Sequence, residues 1–187
     1  FIMRVYNFSA GPSTLPLPVL EQAQRELLDF NGTGMSITEM SHRSKPFMAV
    51  NDEAQALLRE LMNIPENYSI LFVQGGASQQ FAAVPLNLLK NGKADYILTG
   101  NFASKAYEEG VKYGDMAVAA SSKDANYTFI PDMKDIKFRD GIDYVHTTYN
   151  NTIFGTRFTE IPETKATLVT DMSSNILSRP IDVSKYA

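Results

Sequence analysis

The sequence predicts an α/β fold: a mostly parallel sheet with helices on both faces. Two observations carry this reading. Five short apolar runs, SILFV (69–73), DYILT (95–99), DMAVA (115–119), DYVHT (143–147) and TLVT (167–170), have the length and continuity of strands buried on both faces. Longer amphipathic stretches at 78–90 and 102–112 lie between several of them, so strand and helix alternate along the chain.

In chain order, a polar arm over 1–15 leads to a first helix, with Ser13 or Thr14 as cap. Val19, Leu20, Ala23, Leu27 and Leu28 share one face of it, and Asn31-Gly32 is the stop signal. GTGMSITEMSHRSK (32–45) shows no sustained period and reads as a loop. Pro46 suits the first turn of a second helix, whose face carries Phe47, Val50, Ala54, Leu57, Leu58 and Leu61 before it ends near Asn63-Ile64-Pro65. The alternating strands and helices follow. Pro85 falls inside the helix over 78–90, where it removes a backbone hydrogen bond and is expected to kink it.

The bulk properties narrow the function classes. A chain of 187 residues is long enough for one domain with a sizeable core. Hydrophobic residues make up 44% and charged residues 20%, an ordinary balance for a soluble globular protein. No apolar run approaches the roughly 20 residues of a membrane span. A net charge of -4 without a basic run argues against nucleic acid as a partner. No targeting segment is visible, and the absence of cysteine fits a reducing, cytoplasmic setting. The two histidines, His42 and His146, are far apart in sequence, which argues against a metal site.

In open α/β sheets, ligands collect beyond the carboxyl ends of the strands. Four of these ends carry candidate chemistry. Gln74-Gly75-Gly76-Ala77-Ser78 turns from a strand into a helix start, whose free N–H groups and the Ser78 hydroxyl suit a phosphate. A plain strand-to-helix turn explains the same residues. Phe102, at the start of the next helix, offers a stacking face for a flat ligand or simply joins the core. Asn150-Asn151-Thr152 is a polar cluster suited to a ligand contact or a turn. Asp171, directly after an apolar strand, can hold a proton on a basic ring nitrogen or cap the next turn. Together they suit a phosphorylated planar cofactor with a basic ring nitrogen, a description that pyridoxal 5′-phosphate meets.

Five stretches, NFSAGPS (7–13), SITEMSHRS (36–44), FVQGGASQQFAAVPLNLL (72–89), NNTIFGT (150–156) and DMSSNILSRPIDVSKY (171–186), closely resemble the phosphoserine aminotransferase family, within the fold type I pyridoxal-phosphate aminotransferases. The resemblance covers the chain from Met3 onward. It implies that Ala77 and Ser78 bind the cofactor phosphate, that Thr152 meets the ring hydroxyl side and that Asp171 pairs with the pyridine nitrogen. Phe102 stands where the family usually has tryptophan, so only its stacking role carries over. His42 and Arg43 would meet the substrate's anionic groups, at their own or the neighbouring site of the homodimer that the resemblance implies; without the resemblance the pair reads as solvated surface.

The implied reaction moves an amino group between L-glutamate and 3-phosphohydroxypyruvate, giving O-phospho-L-serine for serine biosynthesis. The resemblance also implies a lysine that holds the cofactor as a Schiff base, in an Ala-Gln-Lys-Asn segment that this sequence does not contain. The expectation is a partial large cofactor-binding domain over 16–187, without the small domain, and a chain inactive alone. Another fold type I aminotransferase, or a non-catalytic cofactor- or phosphate-binding piece, are the competing readings.

Overall fold

The computed structural model describes residues 4–187, so the first three residues of the expected arm lie outside the described residues. The chain divides into two compact units, one reaching to Ile64 and the other spanning Pro65–Ala187. Among the described residues no helix is long and apolar enough to cross a membrane.

In the first unit, α1 (Leu17–Glu26) starts later and stops earlier than its apolar pattern predicts. Its cap is Pro16, without a side-chain hydrogen bond. Proline there keeps the preceding Leu15 out of helical geometry. The expected cap is also engaged elsewhere, because the Thr14 hydroxyl donates to the Asn7 carbonyl at 2.8 Å. The expected loop over 32–45 contains one 3-10 turn, Ile37–Glu39, closed reciprocally: Ser36 Oγ accepts from the Thr38 amide, and a Glu39 carboxylate oxygen accepts from the Ser36 amide. α2 (Lys45–Leu61) has Pro46 in its first turn, as expected. Neither helix contains a fully buried residue.

The second unit is built on a four-stranded sheet of β1 (Lys93–Leu98), β2 (Asp115–Ser121), β3 (Tyr144–Thr148) and β4 (Thr167–Asp171). The order is β2-β1-β3-β4, with every pair parallel. α3 (Gly76–Leu88) precedes β1, and α4 (Asn101–Gly110) is the crossover from β1 to β2. Four of the five predicted strands are present within one or two residues of their expected bounds. The fifth is not: 69–73 forms no strand among the described residues, and Leu71, Phe72 and Val73 are exposed. An apolar run becomes a strand only when a neighbour supplies the hydrogen-bond ladder, which the pattern alone cannot reveal.

Strand alternation sorts the core. Ala94, Tyr96 and Leu98 of β1 and Tyr144 of β3 pack with Phe81 of α3 and with Ala103 and Ala106 of α4. Within this layer the Tyr96 and Tyr144 hydroxyls share a hydrogen bond of 2.7 Å. Pro85 lies buried inside α3, which continues past it to Leu88.

Asp95 points away from that layer and is completely buried. Its carboxylate accepts from the Arg139 amide at 2.8 Å and from Arg139 Nε at 2.7 Å. The same guanidinium reaches the Asp115 carboxylate at 2.9 Å and the carbonyls of Ala94 and Asp115. One arginine thus fastens the chain before β3 to the starts of β1 and β2. A second clamp lies nearby. Burial disfavours the Asp143 anion, but hydrogen bonds from the amides of Lys90, Asn91, Lys93 and Gly92 outweigh this and hold its carboxyl below the usual range.

Removing one partner of a buried ion pair leaves the other charge uncompensated. Arg139→Met is therefore expected to destabilise the fold by about 3–5 kcal/mol, read as a lowered urea midpoint. A midpoint within error of the parent would show that Asp95 does not depend on Arg139.

Candidate functional site

The chain leaves β1 for β2 on one side and returns at β3 on the other, which makes the β1/β3 boundary a topological switch point. Ligands gather at the carboxyl ends of strands around such a point. Here those ends deliver Gly100 and Phe102 after β1, Asn150–Thr152 after β3, and Asp171 as the last residue of β4.

At the start of α3, Gly75 and Gly76 have φ values of 92° and 60°. Side-chain-bearing residues rarely adopt this region, so the two glycines permit the turn into the helix. The first amides of α3 then have no intrahelical acceptor and sit at the positive end of the helix dipole, an arrangement that favours an anion. Ala77 lines a cavity of about 260 Å³ together with Gln80, Phe81, His146, Asp171 and Ser173. No lysine is among the residues lining it. Ser78 is exposed and borders a different hollow, facing Lys105, Glu109 and Lys112.

Asp171 is half-buried. Its Oδ1 accepts from the Ser173 amide at 2.9 Å and also from the Ser173 hydroxyl, which fixes the carboxylate and leaves Oδ2 for a ligand. The turn after it is tied to the β3 loop. Ser174 Oγ accepts from Asn150 Nδ2 at 2.8 Å and shares a 2.7 Å hydrogen bond with Thr152 Oγ1.

The polar cluster at 150–152 therefore divides its work. Asn150 and Thr152 reach the turn beyond Asp171, whereas Asn151 is buried and donates from Nδ2 to the Thr99 carbonyl at 2.8 Å. Its Oδ1 accepts from the Phe154 amide at 3.3 Å. Asn151 is a latch between the end of β1 and the loop after β3. Phe102 is partly exposed, and the Lys105 ammonium lies 5.6 Å from its ring centroid. His42 and Arg43 belong to the first unit, where both are exposed on the turn before α2.

Sequence reasoning weighed His146 only as a metal ligand and missed its place in this cavity. Its ring stacks on Tyr96 at 5.0 Å with an 18° interplanar angle and meets Phe81 edge-on at 6.1 Å. Burial lowers its pKa to about 4, although the nearby Asp171 carboxylate pulls it upward. The imidazole is neutral at physiological pH. One signal could have found it: a histidine inside an apolar strand, at even spacing from the strand's ligand-bearing end.

Residues 5–187 match the aminotransferase class-V family, and the chain belongs to it. Among its relatives are phosphoserine aminotransferases. That of Geobacillus kaustophilus (strain HTA426) is 57% identical over 185 residues, covering 98% of this chain and 51% of the relative. The solved phosphoserine aminotransferase of Bacillus circulans subsp. alkalophilus superimposes with a TM-score of 0.93 at 51% identity, over 98% of this chain and 51% of its own. The pyridoxal-phosphate-bound enzyme of Trichomonas vaginalis superimposes with a TM-score of 0.91 at 39% identity, over 98% and 52%. The chain thus spans about half the length of the curated relatives it matches.

The latch generates a prediction. A Cβ added to Gly100 would lie 2.7–2.8 Å from the Asn151 amide atoms, too close for either group to stay in place. Gly100→Ala is expected to cost about 1–3 kcal/mol through overpacking, measured by urea denaturation, and an unchanged midpoint would show that Asn151 is not wedged against β1.

Proposed function

We propose that this chain supplies the cofactor-binding part of a pyridoxal-phosphate-dependent aminotransferase. The reaction we assign to the whole enzyme exchanges an amino group between L-glutamate and 3-phosphohydroxypyruvate, forming O-phospho-L-serine for serine biosynthesis. The observation that carries the reading is the shared cavity: Ala77, from the anion-favouring start of α3, and the Asp171 carboxylate line the same space. These are the two groups that a phosphorylated pyridine needs, one for its anion and one for its protonated ring nitrogen.

In this reading the first amides of α3, those of Ala77 and Ser78 among them, hold the phosphate, and Thr152 meets the ring hydroxyl side. Phe102 provides a stacking face. Asp171, held by Ser173, keeps a proton on the ring nitrogen. When bound, the cofactor supplies an electron-withdrawing ring that makes the substrate's α-proton acidic. His42 and Arg43 receive the anionic groups of the substrate, with the guanidinium suited to a two-point clasp of a carboxylate or phosphate. We assign both units to one large domain, the enzyme to a homodimer and its location to the cytoplasm, where the absence of cysteine fits a reducing setting.

The cavity wall also favours a second reading for the chain taken alone. Without a lysine beside Asp171, it binds the cofactor reversibly and performs no transamination. Pyridoxamine 5′-phosphate, which needs no covalent link, is the appropriate probe. Asp171→Asn is expected to weaken its binding about tenfold or more through loss of a charge-assisted hydrogen bond, measured by fluorescence titration. Equal affinity in the two proteins would remove Asp171 from the site. With pyridoxal phosphate and borohydride, label should spread over exposed lysines; concentration on one lysine would overturn the second reading.

A further inference from the structure

We propose that His146 is a positioning residue for Asp171: an uncharged polar group in the cavity wall that supports the carboxylate as it faces a protonated ring nitrogen. The inference rests on the proposed cofactor reading and adds a group that the resemblance did not assign. Its basis is geometric. β3 and β4 run parallel, with His146 opposite Val169 and Thr148 opposite Asp171. On each strand, residues two apart share a face. His146 and Asp171 are therefore diagonal neighbours on one face, and both line the same cavity.

The ring is held by apolar contacts. Tyr96 from β1 stacks on it and Phe81 from α3 closes its edge. It is only 3% exposed, and the cavity it lines is also lined by Asp171, so the ring dipole acts toward the carboxylate there. Asp171 is the charged group acting on the ring: α3 contributes Phe81, and the phenol of Tyr96 is held protonated by burial, its pKa far above the ordinary range.

The neutral state matters for function. A charged imidazolium would pair with Asp171 and compete with the ring nitrogen for the carboxylate. A neutral imidazole polarises toward the anion without neutralising it. The aromatic packing that desolvates His146 thereby leaves the charge of Asp171 available to the ligand.

Two measurements on the chain test this. With only His42 and His146 present, ring-nitrogen NMR resolves both titrations. His146 should stay neutral down to about pH 4, and Asp171→Asn should move its midpoint lower still, because the carboxylate's upward pull is gone. An unmoved His146 midpoint overturns the coupling.

The second measurement compares pyridoxamine 5′-phosphate with a benzene analogue that lacks the ring nitrogen. His146→Phe should weaken the first about tenfold and the second less than about twofold, and His146→Asn should recover most of the loss. Equal losses for both probes would reduce His146 to packing and sink the proposal. Should His146→Phe not fold, the His146→Asn comparison of the same two probes decides, with a selective change for the pyridine as the supporting result. If the parent chain binds neither probe, the cofactor reading falls, and the NMR titration still decides whether His146 and Asp171 are coupled.

Discussion

The arrangement of the second unit depends on the double pairing of β1. This strand has β2 on one edge and β3 on the other, and its residues are buried from Ala94 through the following Gly100. Pairing on both edges satisfies its backbone, so the strand can be removed from water without orphaned amides. Each end is then tied to a distant segment. Arg139 grips the N-terminal end through Asp95, and Asn151 grips the C-terminal end through the Thr99 carbonyl. Because the two ties come from the chain on either side of β3, they hold β1 and β3 in the relation that creates the switch point.

Chemistry at the switch point follows from an uneven distribution of polarity. Phe81 and His146 line the cavity, and the packing of Phe81 and Tyr96 on the imidazole keeps the histidine neutral. Beside it lie a carboxylate fixed by Ser173 and a helix start whose amides lack acceptors. An anion and a cation on one small planar ligand fit such a cavity better than a wholly apolar or wholly charged molecule would. Membership of the aminotransferase class-V family gives this pattern its chemical setting.

Much of the fold was legible because buried parallel strands leave continuous apolar runs, and because the helices between them keep helical spacing. The runs that became β1, β2, β3 and β4 needed only pattern to be found. The run at 69–73 looked the same and formed no ladder among the described residues, since pairing belongs to two segments and periodicity to one. Helix α1 failed differently. Its apolar pattern began near a good capping residue, but Pro16 and the engaged Thr14 hydroxyl moved the start to Leu17.

The sequence by itself determined which residues have the chemistry: the paired glycines before α3, the carboxylate after an apolar strand, the polar cluster after DYVHT and the family they resemble. These depend on residue type and local spacing, which a linear reading contains. Tertiary structure decided how those residues are shared out. It gave Asn151 to the scaffold and Thr152 to the turn beyond Asp171, placed Ala77 and Ser78 on different hollows, and brought His146 to the wall beside Asp171. The physical reason is that burial and electrostatic coupling arise from strand order and register. Two residues from separate strands share one environment only after those strands have paired.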